Sequence, residues 1–366
     1  MTKSPERRIS RHVIRLVIGI ALWLAVSQAI VESFDLRFFQ PQAEPTMRKV
    51  EVFREQAPTF DVIFLGSSRT RRALVPQTFE EEVAPLIGRE LTAFNLGVNA
   101  TMMPSYTIIA RNLLHGDHRP SMLVLGLGAR SFNSNSPRYD HTIRHLCGPL
   151  DLLGAYGPHL TSGDELLVVP EVMFRATSSL IQLWRRGTDE EVDLAKGIWE
   201  LGGATYPALT ARKSLPLMID DSDLRSIVPA SEYRAQQVAL AKATRYRIGQ
   251  ARRVLLEDYD VDGRCTTAFR ELIDICRERS IRLVVLNLPV TEAFAKGAYV
   301  DGEYDAYLTR LRELCTEGAV PLFDLNRPPY RPPTFFFRDG DHLTREGAWY
   351  FTRLVTREVL ANLLKE

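Results

Sequence analysis

The sequence predicts a three-layer α/β protein, in which a parallel β-sheet is covered by helices on both faces. Two observations support this prediction. Short runs of nearly continuous Val, Leu and Ile alternate with helical patterns, and this alternation occurs both early and late in the chain. Strands of a parallel sheet are buried on both faces and therefore form unbroken apolar runs, whereas strands with one wet face alternate apolar and polar residues.

The early part of the alternation contains three strands and two helices. The strands are short apolar runs bounded by Gly, Asn or Ser, and the helices show apolar residues at helical spacing. The strands are Asp61 to Leu65, Leu91 to Leu96 and Ser121 to Leu127, and the helices are Gln77 to Ala84 and Pro104 to Leu114.

The late part repeats the same pattern and ends on a long amphipathic helix. Its strands are Ile281 to Val290 and Ala319 to Leu325, and its helices are Thr266 to Arg279, Tyr304 to Glu317 and Arg345 to Leu364.

Between the two parts, residues 131–262 break the alternation with Pro and Gly turns and a basic amphipathic segment that begins near Ser231. This pattern predicts a helical insertion into an α/β domain made of residues 61–130 and 263–366. Insertions at the strand ends of an open sheet lie where ligands bind. The insertion is therefore interpreted either as a lid or recognition subdomain, or as ordinary packing on the sheet edge.

The first 35 residues predict a membrane anchor. Basic residues precede an uncharged run from Leu16 to Val31, which is short for a spanning helix of about 20 residues but adequate when counted from Val13. The basic flank predicts a cytoplasmic N-terminus and an exported body, as in a single-pass inner-membrane protein with its body in the periplasm or extracytoplasmic space. The small residues of Ser27 to Ala29 leave a cleaved signal open as the alternative. Residues 36–60 contain prolines and alternating charges, and they are interpreted as a linker.

Composition sets further bounds. The chain has 366 residues, with 46 Lys and Arg against 45 Asp and Glu, so its overall charge gives no reason to expect nucleic-acid binding. Four cysteines, at positions 147, 265, 276 and 315, match neither a zinc pattern nor a C-x-x-C motif, and they allow zero, one or two disulfides.

Two separated segments carry a pattern suited to nucleophilic catalysis. The first strand ends on Gly66, Ser67 and Ser68, and Asp339 precedes His342 by three residues on an Asp-Gly turn. A serine hydroxyl attacks a carbonyl only if a base removes its proton, and an imidazole oriented by a carboxylate does so near neutral pH. The sequence therefore predicts Ser68 as nucleophile, His342 as base and Asp339 as the carboxylate that orients His342.

The same Asp-Gly-Asp turn also fits a divalent-cation site formed by Asp339, Asp341 and His342. The sequence offers no further His or carboxylate cluster at ligand-like spacing. This interpretation is therefore the weaker one, and neither a metal nor another cofactor is predicted.

These motifs resemble the SGNH (GDSL-type) hydrolase superfamily, over roughly residues 58–130 and 264–364. The family's Gly-Asp-Ser block falls on Gly66-Ser67-Ser68, and its last block falls on Asp339-x-x-His342-Leu343. The Gly-Ser-Ser form is similar to that of membrane-anchored relatives that handle acyl groups on envelope polymers, such as alginate and teichoic-acid modification proteins. The resemblance implies a flavodoxin-like sheet and a serine esterase or O-acyltransferase.

Two further blocks depart from the family pattern. The oxyanion glycine falls on Ala100, whose backbone N–H can still donate, and the family's Asn falls on Arg130. The resemblance implies an oxyanion site formed by Ala100 and Arg130, together with the Ser68 N–H. Arg130 is alternatively an anion-binding residue or a member of a salt bridge.

Substrate contacts are predicted from the same loops. Asn99 lies in the second loop, and Arg69, with Arg71 and Arg72 behind it, makes the edge near Ser68 electropositive, which suits a phosphate-bearing or acidic substrate. At least two of these arginines are alternatively a solvated first helical turn.

Two functions follow as expectations. The first is an exported, membrane-anchored serine esterase or O-acyltransferase that acts on acyl esters of an envelope polysaccharide or lipid. The second is a catalytically inactive relative that binds a glycan or serves as a scaffold for an integral-membrane acyltransferase. The departures at Ala100 and Arg130 favour the second, and the joint presence of Ser68, His342 and Asp339 favours the first.

Overall fold

The chain divides into two compact units, one of residues 48–143 and 188–366 and the other of residues 1–47 and 144–187. All five strands of the sheet lie in the first of these units. The computed structural model describes residues 44–56, 60–99, 101–136 and 217–365, together with Ile18, Gly19, Leu22 and Val26.

The described residues contain one sheet of five parallel strands in the order β2-β1-β3-β4-β5. All residues of β1, β2 and β3 are buried, which requires that the sheet be covered on both faces. The predicted parallel α/β fold is confirmed. The strands are β1 Val62–Gly66, β2 Ala93–Gly97, β3 Met122–Leu127, β4 Arg282–Asn287 and β5 Leu322–Asp324.

Helices connect the strands and cover the sheet, and their bounds lie within a few residues of the predicted ones wherever a helix was predicted. The long closing helix differs, because a π-helical turn over Thr356–Leu360 divides it in two. The helices are α1 Glu44–Gln56, α2 Ser68–Arg71, α3 Pro76–Ile87, α4 Met103–Leu113, α5 Asp221–Ile227, α6 Ala230–Gln250, α7 Arg264–Glu278, α8 Glu292–Ala298, α9 Glu303–Glu317, α10 Arg345–Val355 and α11 Ala361–Lys365.

Helix α1 lies within the segment predicted as a linker, so that interpretation is wrong for its second half. Val50 and Phe53 are buried, and the Phe53 ring stacks on Phe60 with centroids 5.9 Å apart. Lys49 donates a hydrogen bond of 2.6 Å from Nζ to the carbonyl of Gly97 at the end of β2. The prolines and alternating charges of this segment favoured a linker, but Val50 and Phe53 form a narrow apolar face that packs on the α/β domain.

The described residues of the predicted insertion are 131–136 and 217–262, and the longer of these segments contains helices α5 and α6. Helix α6 is its main element and continues into a π-helical turn over Ala251–Leu255. Leu240 of α6 is buried in the same apolar cluster as residues of β1, β3 and β4, so this helix packs on the α/β domain. The remainder, residues 137–216, lies outside the described residues.

The predicted membrane anchor lies almost entirely outside the described residues. Within the part of the chain that the structure describes, no helix has both the length and the apolar character needed to cross a bilayer.

Cys265, Cys276 and Cys315 are buried free thiols, so no disulfide forms among these three. Burial raises the pKa of each thiol to about 12, which makes all three unreactive near neutral pH. Cys147 lies outside the described residues.

Candidate active site

The turn after β1 places Ser68 at the carboxyl edge of the sheet. Gly66 ends the strand with a φ of +153°, and a Cβ there would lie 2.0 Å from Thr70 Oγ1 and 2.6 Å from the carbonyl of Gly126. Ser67 then caps α2, its Oγ accepting a hydrogen bond from the N–H of Arg69 at 3.3 Å. The chain therefore turns sharply from strand to helix, and Ser68 is the first residue of α2.

The segment before α10 is a tight turn that presents His342. The N–H of Arg338 donates to the carbonyl of His342 at 2.9 Å, and Oδ1 of Asp339 accepts from the backbone N–H groups of Asp341 and His342 at 3.0 and 2.9 Å. Thr344 caps α10 by accepting from the N–H of Gly347. Local hydrogen bonds thus fix the backbone on both sides of the imidazole.

The two segments meet, although Ser68 and His342 are 274 positions apart. Ser68 Oγ lies 2.8 Å from His342 Nε2, and both carboxylate oxygens of Asp339 lie 3.1 Å from His342 Nδ1. An ionised carboxylate only accepts hydrogen bonds, so Nδ1 carries the proton and Nε2 is free to accept from the serine hydroxyl. The predicted set of Ser68, His342 and Asp339 is therefore brought together in hydrogen-bonding order.

A second carboxylate, which sequence reasoning considered only as a cation ligand, also contacts the imidazole. Asp341 Oδ1 lies 3.2 Å from His342 Nδ1, and its side chain has no exposed surface. Arg247 of α6 donates to Asp341 from Nε at 3.1 Å and from Nη2 at 3.4 Å. Arg130, in the short turn that follows β3, also forms an ion pair with Asp341. Asp341 is thus a buried anion held between two guanidinium groups and the imidazole.

The neighbouring charges shift the pKa values of both Asp341 and His342. Burial disfavours the ionised carboxylate of Asp341, but Arg130, His342 and Arg247 outweigh it and hold the pKa of Asp341 well below its ordinary range. Burial also disfavours the imidazolium, yet the carboxylates of Asp341 and Asp339 raise the pKa of His342 above its usual value. His342 is consequently a stronger base than a free imidazole.

The structure describes only part of the predicted oxyanion site, because Ala100 lies outside the described residues. Arg130 follows β3 in a short 3₁₀ turn, Ala129–Phe132, and borders the space beside Ser68. Its guanidinium is paired with Asp341, and burial lowers its pKa. Arg130 therefore matches the salt-bridge interpretation, in a buried rather than a surface pair.

The two predicted substrate-binding residues occupy different places. Asn99 is exposed and borders the cleft in front of Ser68. Arg69 is buried and donates from Nη2 to the carbonyls of Leu288 and Pro289 at 2.5 and 3.1 Å, passing where a Cβ on Gly128 would stand. Arg69 is not among the cleft-lining residues, and it ties α2 to the segment after β4.

An open cleft of about 520 Å³ gives access to the three residues. The cleft lies between the strand ends and the C-terminal part of α6. Its volume is typical of sites that bind small molecules. Its walls come from the loops after β1, β2 and β3, from α6 and its π-helical turn, and from the turn before α10. They consist of Ser67, Ser68, Arg71, Arg72, Asn99, Thr101, Met102, Arg130, Ser131, Arg247, Gln250, Val254, Leu255, Arg338, Asp339 and His342.

The candidate cation ligands also lie close together, since one donor atom each from Asp339, Asp341 and His342 falls within 4.8 Å of the others. Two guanidinium groups, however, already contact Asp341. Their positive charge opposes the binding of a cation at the same place. The donor set therefore fits an ion-paired imidazole better than a metal.

Comparison with models of known protein families finds no matching family, and comparison with curated proteins finds no significant match. The chemistry of the cleft is therefore inferred from its own geometry.

Proposed function

We propose that the protein is a serine esterase or O-acyltransferase. The observation that carries this proposal is the chain of contacts from Ser68 Oγ to His342 Nε2 at 2.8 Å and from His342 Nδ1 to Asp339 at 3.1 Å, beside an open cleft. A nucleophile within reach of a base that is itself oriented by a carboxylate is the arrangement required for acyl transfer.

The reaction proceeds through an acyl-enzyme. Ser68 Oγ attacks the ester carbonyl carbon while His342 Nε2 takes the hydroxyl proton, and the tetrahedral intermediate collapses as the C–O bond to the alcohol breaks. His342 returns the proton to the departing alkoxide. Water or a second hydroxyl then attacks the carbonyl carbon of acyl-Ser68 and gives its proton to His342, and His342 returns that proton to Ser68 Oγ as the bond between the acyl carbon and Oγ breaks. Water gives hydrolysis, and a sugar hydroxyl gives transfer.

Strand order supports the resemblance to SGNH hydrolases. The order β2-β1-β3-β4-β5 is that of flavodoxin-like sheets, and ligands of such sheets bind at the carboxyl ends of β1 and β3, where the order reverses. Ser68 and Arg130 follow those two strands. We therefore assign the domain to a flavodoxin-like, SGNH-type architecture as part of the proposal.

We further propose that the N-terminal segment anchors an exported body in the inner membrane. Ile18, Leu22 and Val26 are helical, follow one another at four-residue spacing, and are 60, 66 and 52% exposed. An apolar helix face open to its surroundings suits lipid. In this setting the substrate is an acyl ester of an envelope polysaccharide or lipid, and an integral-membrane acyltransferase is the proposed partner.

One observation favours a second candidate function, a non-catalytic glycan-binding or scaffold protein. Arg130 stands where the resemblance implies an amide donor for the oxyanion, and its guanidinium is paired with Asp341. Loss of one oxyanion donor reduces catalysis by about 10²- to 10³-fold. A slow enzyme and an inactive one therefore have to be separated by experiment.

The test uses the full chain in detergent with p-nitrophenyl acetate and a fluorophosphonate probe. We expect turnover, labelling at Ser68, and a loss of about 10⁴-fold or more in kcat for Ser68→Ala. The matched control is Ser67→Ala, one residue away, which removes a helix cap but leaves the nucleophile in place. If folded wild-type protein shows neither turnover nor labelling, or if Ser68→Ala keeps the activity, the enzymatic proposal is wrong.

A further inference from the structure

Most described residues that line the cleft beside Ser68 are polar or charged, but three of them are apolar. Met102, in the loop after β2, directly precedes α4 and is 3% exposed. Val254 and Leu255 are neighbours in the π-helical turn that follows α6, and both are half-buried. The cleft therefore offers apolar surface in the same space as the hydroxyl of Ser68.

The π-helical turn is held by side chains from the segment that follows β3. Carbonyl groups at the end of a helix have no partner within the helix. Here the buried Asn133 donates from Nδ2 to the carbonyls of Leu255 and Glu257 at 3.0 and 2.9 Å, and Ser136 Oγ donates to the carbonyl of Val254 at 3.3 Å. The backbone of both apolar cleft residues is thus fixed before any ligand arrives.

The placement of Val254 and Leu255 suits contact with a ligand. π-Helical turns are rare and are frequent at functional sites. Half-buried apolar side chains in a concave site still lose water when a ligand covers them, and this burial is favourable in proportion to the apolar area. Single apolar residues on an open surface need no such explanation, but these two share a cleft with Ser68 and His342.

We infer that the acyl chain of the substrate is longer than acetyl and packs on Val254 and Leu255, with Met102 as a third contact. This inference rests on the proposed esterase or acyltransferase function and adds the class of acyl group to it. The alcohol part of a sugar ester carries further hydroxyl groups, whereas its acyl chain is aliphatic. The acyl chain is therefore the part of such an ester that gains most from an apolar wall.

The kinetic test compares p-nitrophenyl butyrate with p-nitrophenyl acetate, using the full chain in detergent. The butyrate carries two more methylene groups, and we expect its kcat/KM to be about tenfold higher than that of the acetate. A wild-type protein that turns over the acetate as well as the butyrate, or better, would overturn the inference.

Variants of the π-helical turn should change this ratio of kcat/KM. Val254→Ala and Leu255→Ala are each expected to reduce the butyrate-to-acetate ratio by about threefold, because each removes apolar surface from the wall. Intrinsic reactivity and partition into detergent are the same for every variant, so they cancel in this comparison. Val238→Ala is the matched control, since Val238 of α6 is 68% exposed and does not line the cleft. A ratio that neither cleft variant alters would contradict the assignment of the wall.

A binding measurement separates this inference from the proposed function. Ser68→Ala lacks the nucleophile, so its titration with ethyl butyrate or ethyl acetate, followed by NMR, reports binding alone. We expect the dissociation constant of the butyrate to be about tenfold smaller, and this difference to shrink about threefold in Ser68→Ala/Leu255→Ala. A chain-length preference in binding without turnover by the wild-type protein contradicts the esterase but keeps the apolar wall. Turnover with a ratio that the cleft variants leave unchanged does the reverse.

Discussion

Ser68 and His342, the proposed nucleophile and base, are held in two different ways. Ser68 is placed by backbone geometry, because Gly66 turns the chain where no side chain fits and Ser67 caps the helix that follows. His342 is placed by charge, because its Nδ1 faces Asp339 and Asp341, and Asp341 is in turn bound by Arg130 and Arg247. One side of the site is therefore sensitive to shape and the other to charge.

The charged side should respond most strongly to a single substitution. Asp341→Asn removes the anion but leaves Arg130 and Arg247 in place, and stranding buried charge costs about 3–5 kcal/mol. We expect this loss in the free energy of unfolding, measured by urea denaturation near neutral pH. The control is Asp274→Asn, which breaks an ion pair with Arg277 in which both side chains are 62% exposed. Equal losses in the two variants would contradict the buried-charge explanation.

The backbone side should respond next. Gly66→Ala forces a Cβ against Thr70 and the Gly126 carbonyl at a φ that other residues rarely adopt, and we expect a loss of about 2–4 kcal/mol in the free energy of unfolding. Gly88→Ala is the matched control, since it has a φ of +76° but no atom within 4 Å of the added Cβ. Its cost should be about 1–2 kcal/mol, from conformation alone. A larger loss at Gly88 would show that steric contact does not decide the effect.

The pH dependence of activity distinguishes the two sides without unfolding the protein. The imidazole must be neutral to accept the serine proton, so kcat/KM for a neutral ester should rise with pH along a limb centred above 6.5, because the pKa of His342 is raised. Asp341→Asn should move this limb to lower pH, and Arg247→Gln should move it to higher pH. Ser67→Ala should leave it unmoved. A shift in the same direction for both charged variants would contradict the electrostatic assignment.

The same shifts give stability a defined pH dependence. His342 has a raised pKa in the folded state, so its contribution is complete below the ordinary value of 6.5 and is lost as pH rises through the folded value. Asp341 has a lowered pKa, so its contribution is present above the ordinary value of 3.8 and is lost as pH falls through the folded value.

The smallest effect is expected away from the site. Arg270 of α7 pairs with Glu317 of α9 at 3.0 Å, and the two side chains are about half exposed. Glu317→Gln should therefore change the free energy of unfolding by about 1 kcal/mol or less. A loss comparable with that of Asp341→Asn would mean that burial does not separate the two ion pairs.

Features that depend on local sequence patterns could be predicted, whereas the distant charged contacts could not. The strands and most helices could be predicted because their apolar periodicity is local, and Ser68 could be chosen as a candidate because a strand that ends on Gly-Ser-Ser is a local pattern. Asp339 and His342 became candidates for the same reason, since His342 follows Asp339 by three positions. The short helix α8, Glu292–Ala298, was missed because its seven residues hold too little periodicity.

The charged contacts around Asp341 could not be predicted in this way. Arg247 lies 94 positions before Asp341, in a helix with many basic residues, and nothing in its neighbourhood distinguishes it from the others. Asp341 itself follows an Asp-Gly turn that equally fits a cation site. The ion pair between Arg247 and Asp341 is identified only by the folded structure, in which α6 packs against the turn before α10.

Arg247 lies on α6, so its contact with Asp341 lasts only while α6 stays packed on the domain. The temperature range over which the site keeps its geometry therefore depends on this helix. This helix is exposed along much of its outer surface, and such elements open locally at a lower free-energy cost than buried strands. Each opening removes one guanidinium from Asp341 and changes the proton affinity of the imidazole. Upon heating, the protein should therefore lose its proposed catalytic activity reversibly. The loss would come from partial detachment of α6, while the sheet remains intact.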